Sequence, residues 1–333
     1  MITTPSNFFE NHHTKETILT WAINTLLKLN YNLRSNQPTV VKNTPFSYVA
    51  YFETEAELVW IKTTPNLISH EPQIIELLRK DFHAPVPLII SINPIHHIFL
   101  MKDHGVSLRE YLRKKFDIAL ICKAIEEFTE LQINVSKNTQ ELINLGVPNW
   151  SLSKLPMLYN KFISESKYFL LRDGLTIEEY HRLLNLNSTI MKLTDLLSTY
   201  SIKETLVQPD FNDNNILIDK IENKLTFIDL GEISISHPFF SLINMLYQLK
   251  KHHGLKEGNP QYQKIKKSCF SRYEKFEPYE RLLEAFEIAR SLWLVYGAIA
   301  YERLMQACGP ERIISYQPGK LASTLRDLLT ILK

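Results

Sequence analysis

The spacing of hydrophobic residues changes once along the chain, about a third of the way from its N-terminus. Residues 14 to 30 carry apolar side chains at helical spacing and predict an amphipathic helix. Short β-prone runs separated by polar turns follow, at 39–41, 46–52, 58–62, 86–91 and 95–101. A second helix is predicted at 71–80, where Pro72 suits a first turn. The first hundred residues therefore predict a small antiparallel sheet with two helices.

Beyond about residue 103 the pattern is mostly helical. Long apolar stripes at helical spacing cover 108–115, 118–133, 154–169, 177–200, 239–251 and 279–305. Three β-prone runs, 204–207, 215–218 and 225–228, interrupt them. We predict an α+β fold with two lobes and a hinge: residues 1–102 form a β-rich N-lobe, and residues 103–333 form a larger, mainly helical C-lobe.

Composition narrows the classes of protein that the chain can represent. Of 333 residues, 44% are hydrophobic and 22% charged, and the net charge is +2, which predicts a soluble globular protein without a nucleic-acid footprint. The chain has three cysteines that lie far apart in the sequence, Cys122, Cys269 and Cys308. Their odd number argues against a disulfide framework and favours a reducing compartment. Residues 1–10 do not resemble a secretory signal, and no apolar stretch has membrane-spanning length. We expect a cytoplasmic protein that does not bind a membrane; the sequence does not indicate its oligomeric state.

Candidate chemistry lies at the β-like interruption of the helical half. The segment Asp210-Phe-Asn-Asp-Asn-Asn215 precedes one aliphatic run, and Asp229 follows the next. Phosphoryl transfer needs an acceptor hydroxyl aimed at the γ-phosphate and cations that neutralise the phosphates. The Asn215 amide and the Asp229 carboxylate offer the oxygen ligands that Mg²⁺ prefers. Asp210 is placed to orient the acceptor hydroxyl or to accept its proton. Each residue alone could instead cap a turn or end a strand.

The order of these residues is that of a kinase catalytic loop and its metal-binding strand. The segment resembles the aminoglycoside phosphotransferase and choline kinase superfamily, whose members typically read His-Gly-Asp-x-x-x-x-Asn-Ile-Leu and then Ile-Asp. This resemblance implies a protein-kinase-like fold, with ATP and Mg²⁺ as cofactors. It also implies Asp210 as the catalytic residue and Asn215 and Asp229 as the metal ligands.

Further resemblances place the nucleotide between the lobes. Lys62 resembles the β3 lysine that contacts the α- and β-phosphates, and Glu71 resembles its ion-pair partner, with Glu76 as a rival on the same predicted helix. The stretch 99–104 resembles the hinge that faces adenine, which makes Met101 and Asp103 candidate nucleotide contacts. For Lys62 and Glu71 the structural alternatives are a strand lysine that reaches solvent and an acid favoured by the helix dipole.

The departures from the family pattern concern the loop and the phosphate lid. Gln208 stands where the family usually has His, and Pro209 where it often has Gly. The strand pair around residues 44–49 contains no glycine, which leaves Ser47 as the candidate phosphate contact there. No Ala-Pro-Glu segment follows Asp229, which disfavours a protein kinase.

The predicted function is transfer of the γ-phosphate of ATP to a hydroxyl of a small molecule, an aminoglycoside-, choline- or sugar-like acceptor. Five acidic residues of the helical half could contact a cationic acceptor or could equally form a solvated face: Glu274, Glu277, Glu280, Glu284 and Glu287. The alternative, motivated by Gln208 and the glycine-free lid, is a catalytically inactive kinase-like module that binds nucleotide or a protein.

Overall fold

The computed structural model describes residues 12–332, with side chains from residue 15. Residues 1–10, for which no secretory signal was predicted, lie outside that range. The chain begins with α1 (His12–Lys28), β1 (Thr39–Thr44), β2 (Ser47–Glu53), β3 (Leu58–Thr63), α2 (Glu71–Phe82), β4 (Ile89–Asn93) and β5 (Ile98–Lys102). The five strands form one antiparallel sheet in the order β1-β2-β3-β5-β4.

The two helices of this lobe pack in different places. Buried apolar residues of α1, such as Ile18 and Leu26, form a separate core with the sheet. The apolar stripe of α2, which includes Ile74 and Leu78, instead belongs to the large core of the C-lobe. An amphipathic helix must bury its stripe somewhere, and α2 does so against the other lobe. Helix α2 therefore lies between the sheet and the large core of the C-lobe.

The remaining elements belong mostly to the helical lobe. They are β6 (Val106–Ser107), α3 (Leu108–Lys114), α4 (Ile118–Val135), α5 (Gln140–Asn144), α6 (Leu155–Glu165), α7 (Lys167–Arg172), α8 (Ile177–Leu184), α9 (Asn187–Leu197), β7 (Thr205–Val207), β8 (Ile216–Asp219), β9 (Lys224–Phe227), β10 (Ser234–Ser236), α10 (Phe239–His253), α11 (Pro260–Ser268), α12 (Tyr279–Cys308), α13 (Pro310–Tyr316) and α14 (Lys320–Ile331). Strands β6, β8 and β9 form one small sheet, and β10 pairs with β7. A sheet-rich N-lobe and a mostly helical C-lobe confirm the predicted α+β, two-lobed architecture.

The chain passes between the lobes over a short segment. The large sheet ends at Lys102, and β6 begins at Val106. Between them, Gly105 has a φ of +96°, and a Cβ atom there would collide with the carbonyl of Ile218 in β8. Only glycine combines this backbone conformation with so close an approach. Gly105 therefore lets the chain turn tightly into the sheet that follows the predicted catalytic loop, residues 210–215.

Two predicted helices are each divided in the structure. The stripe at 154–169 separates into α6 and α7 at Ser166, and the stripe at 177–200 separates into α8 and α9 near Asn185. Apolar residues on both sides of each break are buried, so hydrophobic spacing alone does not reveal the bend. Within residues 12–332, no helix is long and apolar enough to cross a membrane.

Candidate active site

Lys62 joins the two lobes through two carboxylates. It lies on β3, and its Nζ is 2.6 Å from Glu71 Oε2 on α2 and 2.6 Å from Asp229 Oδ1. The second Glu71 oxygen accepts a hydrogen bond from the Leu230 N–H at 3.1 Å. The rival Glu76 is exposed on the same helix. The structure therefore brings Lys62, Glu71 and Asp229 together and leaves Glu76 outside the cluster.

This cluster fixes its own protonation. Burial opposes the charge on Lys62, but the two carboxylates prevail and raise the pKa of its ammonium. Burial likewise opposes ionisation of Asp229, yet the Lys62 charge holds the pKa of that carboxyl below its usual range. Burial raises the pKa of the Glu71 carboxyl above its usual range. The Lys62 charge lowers this pKa but does not restore the usual value, because the one ammonium is shared with Asp229. An ionised Asp229 is the state that a divalent cation requires.

Asp210 is held by one side-chain amide at each carboxylate oxygen. Asn212 Nδ2 donates to Oδ1 at 2.8 Å, and Asn215 Nδ2 donates to Oδ2 at 2.9 Å. The same two amides also donate to the Asp210 carbonyl, at 2.7 and 2.8 Å. These bonds fix the plane of the carboxylate and leave each oxygen further acceptor capacity. They also commit the nitrogen of Asn215, so its amide oxygen is the end left for a cation.

The environment of Asp210 raises the pKa of its carboxyl above that of an ordinary aspartate. The side chain is open to solvent on one side of the cleft and surrounded by protein on the others. Desolvation and the nearby Asp229 charge together raise its pKa, against the hydrogen bonds from Asn215 and Asn212. A base is most effective when its pKa lies nearer the operating pH than that of an ordinary aspartate.

Gln208 positions the backbone of Asp229. Its Nε2 donates to the carbonyls of Ile228 at 2.9 Å and Asp229 at 3.0 Å. Asp229 has a φ of +64°, a left-handed conformation that is unfavourable for a residue with a Cβ. The two carbonyls determine which end of the Gln208 amide faces them, since only the nitrogen can donate. Its oxygen, Oε1, is buried without a hydrogen-bond partner among the described residues.

Ser241, in the first turn of α10, holds Gln208 from behind. Its Oγ accepts from the Gln208 N–H at 2.9 Å and donates to the Gln208 carbonyl at 3.1 Å. One turn later, Asn244 donates to the carbonyl of Phe211 at 3.1 Å. Side chains of α10 therefore hold the backbone at the start of the predicted catalytic loop. The position of this loop depends on the packing of the C-lobe core.

A buried ion cluster that the sequence analysis missed supports the other end of the loop. Arg109 donates to Asp213 Oδ1 through Nε at 2.9 Å and Nη2 at 2.7 Å, and to Asn212 Oδ1 at 3.0 Å. His253, at the end of α10, donates from Nε2 to Asp213 Oδ2 at 2.6 Å. Asp213 is fully buried, so these partners are needed to offset the loss of hydration. Through Asn212 the cluster reaches the carboxylate of Asp210.

Glu232 is a second residue of the site that was not predicted. It lies three residues after Asp229 and lines a small cavity at that end of the cleft. Burial, with the charges of Asp229 and Asp210, raises the pKa of its carboxyl to about 8. A single acidic residue after Asp229 has no distinguishing sequence signal, which explains why it was overlooked.

Solved structures of known phosphotransferases and kinases share this fold. The chain superposes on a GDP complex of a mutant aminoglycoside 2′-phosphotransferase of type IIIa with a TM-score of 0.60, 14% identity and coverage of 93% and 96% of the two chains. An ethanolamine kinase of Plasmodium vivax superposes with a TM-score of 0.61 and 12% identity, and the match covers 99% of this chain and 92% of the kinase. A macrolide 2′-phosphotransferase of type I superposes with a TM-score of 0.57 and 12% identity, and that match covers 93% of this chain and 96% of the other. The chain therefore has the fold of these phosphotransferases and of the ethanolamine kinase. No protein-family model and no curated protein matches the sequence.

Within this kinase-like fold, the predicted hinge residues lie at the end of β5. Met101 pairs with Trp60 of β3, and Asp103 Oδ1 accepts a hydrogen bond from Trp60 Nε1 at 2.8 Å. Both Met101 and Asp103 are partly exposed. The Asp103 side chain is thus engaged with the sheet. A contact between the backbone of residues 99–104 and a nucleotide stays a prediction.

The predicted phosphate contact Ser47 also has partners inside the protein. Its N–H donates to Thr44 Oγ1 at 3.1 Å, and the two hydroxyls are 3.3 Å apart. Ser47 is buried at the turn between β1 and β2, and it lines the same small cavity as Glu232. The structure places Ser47 beside the same cavity as Asp229, with its N–H used to close the turn, and its contact with a phosphate stays a prediction.

A larger cavity of about 500 Å³ lies behind α10. From α10 it is lined by Tyr247 and Lys250, which lie on a different face of the helix from Ser241 and Asn244. Of the acidic residues considered for a cationic acceptor, only Glu287 lines it, paired with lysine and arginine. Three more are exposed on the surface (Glu274, Glu280 and Glu284), and Glu277 is buried in an ion pair with Arg281. These acids do not converge beside the catalytic loop.

Proposed function

We propose that this protein is an ATP-dependent phosphotransferase that moves the γ-phosphate to a hydroxyl of a small molecule. The observation that carries the proposal is the double pairing of Lys62, at 2.6 Å to both Glu71 and Asp229. It joins the sheet, the helix α2 and the metal-binding strand in one contact. The fold likeness supports phosphotransfer chemistry, and the neighbouring GDP complex supports a purine nucleotide between the lobes.

In the proposed reaction, the acceptor oxygen attacks the γ-phosphorus while its proton moves to a carboxylate oxygen of Asp210. A new phosphorus–oxygen bond to the acceptor forms, and the bond between the γ-phosphorus and the oxygen bridging it to the β-phosphate breaks. ADP leaves with that electron pair. The raised pKa of Asp210 and the two amides that orient it suit the transient acceptance of this proton.

The donor set fits Mg²⁺. Asp229 offers an ionised carboxylate and Asn215 an amide oxygen, and Mg²⁺ usually takes few protein oxygens together with phosphate and water. When bound, the ion would neutralise charge on the phosphates. Lys62 would bind the α- and β-phosphates, and Glu71, 2% exposed, would hold the lysine in position. Binding of a nucleotide would draw Lys62 from Asp229, which frees that carboxylate for the metal.

We propose an aminoglycoside-, choline- or sugar-like acceptor, since the neighbours of this fold carry the names of aminoglycoside, macrolide and ethanolamine enzymes. The acceptor would enter on the open side of Asp210. Neither nucleic acid nor membrane is a proposed partner. Cys122, Cys269 and Cys308 are buried and unpaired, which supports the proposed cytoplasmic location.

The test is consumption of ATP with Mg²⁺ across a panel of hydroxylated amines, aminoglycosides, macrolides and sugars. Acceptor-stimulated turnover is expected from the wild type and loss of at least about a hundredfold from Asp210→Asn. Asp195→Asn, an exposed aspartate of α9, serves as the control. Equal, acceptor-independent rates for both proteins would favour the alternative, an inactive kinase-like module that binds nucleotide or a protein.

A further inference from the structure

The hairpin of β1 and β2 covers the phosphate end of the cleft without any glycine. A glycine-rich lid binds phosphates with free backbone N–H groups. Here the turn is closed internally, since the Ser47 N–H donates to Thr44 Oγ1 at 3.1 Å and the Thr44 hydroxyl donates to the Ser47 carbonyl at 3.2 Å. The backbone donor at Ser47 is thus already used, and a phosphate under this lid needs another source of positive charge.

Lys42 of β1 is the cation that the hairpin directs to this place. The β1–β2 register shifts between Val40 and Lys42, so a bulge at Val41 re-aims the residues that follow. Lys42 lines the small cavity that Asp229 and Ser47 also line.

Two observations indicate that Lys42 is poised for a ligand. Among residues 12–332, it makes no salt bridge within 4.0 Å and no hydrogen bond through its ammonium, and its side chain is exposed. The hairpin tip is also anchored across the cleft, because the rings of Phe46 and Tyr316 meet edge to face with centroids 5.7 Å apart. This contact holds the hairpin against the C-lobe, while the Lys42 ammonium has no partner among the described residues.

We propose that Lys42 is a phosphate-contacting residue that binds the terminal phosphate of the nucleotide, supplying from a side chain the charge that a glycine-rich lid supplies from its backbone. The inference rests on the proposed function, since it requires a nucleoside triphosphate in the cleft. It assigns Lys42 to the terminal phosphate and Lys62 to the inner ones.

The experiment compares the binding of MgATP, MgADP and adenosine to the wild type and Lys42→Met by calorimetry, with the guanine compounds in parallel. We expect MgATP to bind about tenfold more weakly to Lys42→Met, because a charge-assisted hydrogen bond is lost. MgADP should lose less and adenosine nothing. Lys42→Arg should restore most of the MgATP affinity, and Lys80→Met, an exposed lysine of α2, should match the wild type.

Unchanged MgATP affinity in Lys42→Met, or an equal loss for all three ligands, would overturn the assignment. The second result would indicate a general disturbance of the lobe rather than a lost phosphate contact. If the wild type bound neither purine series, the proposed function itself would fail, and the Lys42 inference with it. An equal melting temperature for wild type and Lys42→Met, expected for an exposed edge-strand residue, separates folding from binding.

Discussion

Replacing Gln208 with methionine tests the role of the residue that departs most clearly from the family pattern. Methionine has about the same length and fills the same buried volume. It cannot donate to the carbonyls of Ile228 and Asp229, which Gln208 Nε2 contacts at 2.9 and 3.0 Å. It also removes Oε1, which is buried without a partner among the described residues.

The two effects on stability nearly cancel. Losing two neutral hydrogen bonds, and with them the donor to two carbonyls, costs roughly 2–3 kcal/mol of the free energy of unfolding. Removing a buried, unsatisfied oxygen recovers roughly 1–3 kcal/mol. The free energy of unfolding of Gln208→Met should therefore lie within about 1 kcal/mol of the wild type. Activity should not be spared, because Asp229 loses the bonds that hold its left-handed backbone. A misplacement of about 1 Å at a catalytic group lowers turnover roughly a hundredfold.

Gln132 offers a matched control. It is also a fully buried glutamine whose Nε2 donates to two carbonyls, those of Leu206 and Pro238, but its Oε1 accepts from the Tyr273 hydroxyl at 3.2 Å. Gln132→Met should lose roughly 3–5 kcal/mol, because it also strands that hydroxyl, and should keep kcat in the folded fraction. Urea unfolding and steady-state turnover measure both variants. A loss of several kcal/mol in Gln208→Met, or full turnover, would refute the reasoning.

Three further predictions concern the rest of the site. Lys62→Met leaves Glu71 buried without its cation, so it should lower the free energy of unfolding, measured by urea unfolding, by roughly 3 kcal/mol. An unchanged free energy of unfolding would contradict the pairing. Arg109→Ala should lower kcat more than it raises KM for ATP, because Arg109 positions the proposed base through Asn212. A change in KM alone would argue against this. Because the pKa of Asp210 is raised and the base must be unprotonated, kcat/KM should increase with pH through that raised value, so its acid limb should lie above pH 3.8. A limb at or below pH 3.8 would contradict the raised pKa of Asp210.

The loop could be predicted because its information is local. Asp210, Asn215 and Asp229 stand at fixed offsets around two short strands, and those offsets are visible in the sequence. The prediction that Lys62 pairs with Glu71 rather than Glu76 depended on the family resemblance. The sequence alone does not distinguish two acidic residues on the same helix. The structure settles that geometry with a distance of 2.6 Å.

The supporting cluster could not be predicted, because its members are distant along the chain. Arg109 is 104 residues from Asp213, and His253 is 40 residues from it. Neither has a local pattern that differs from an ordinary helix residue, and only tertiary packing brings them together. The same holds for the breaks at Ser166 and Asn185, which interrupt stripes that remain apolar on both sides.

The measurement that tests the account most directly is MgATP turnover by the wild type and Asp210→Asn with each acceptor of the panel, followed by phosphate analysis of the product. The account predicts one or more phosphorylated acceptors with the wild type and a loss of at least about a hundredfold with Asp210→Asn, although both proteins bind MgATP equally. Equal turnover by the two proteins, or nucleotide binding without any phosphorylated acceptor, would contradict it.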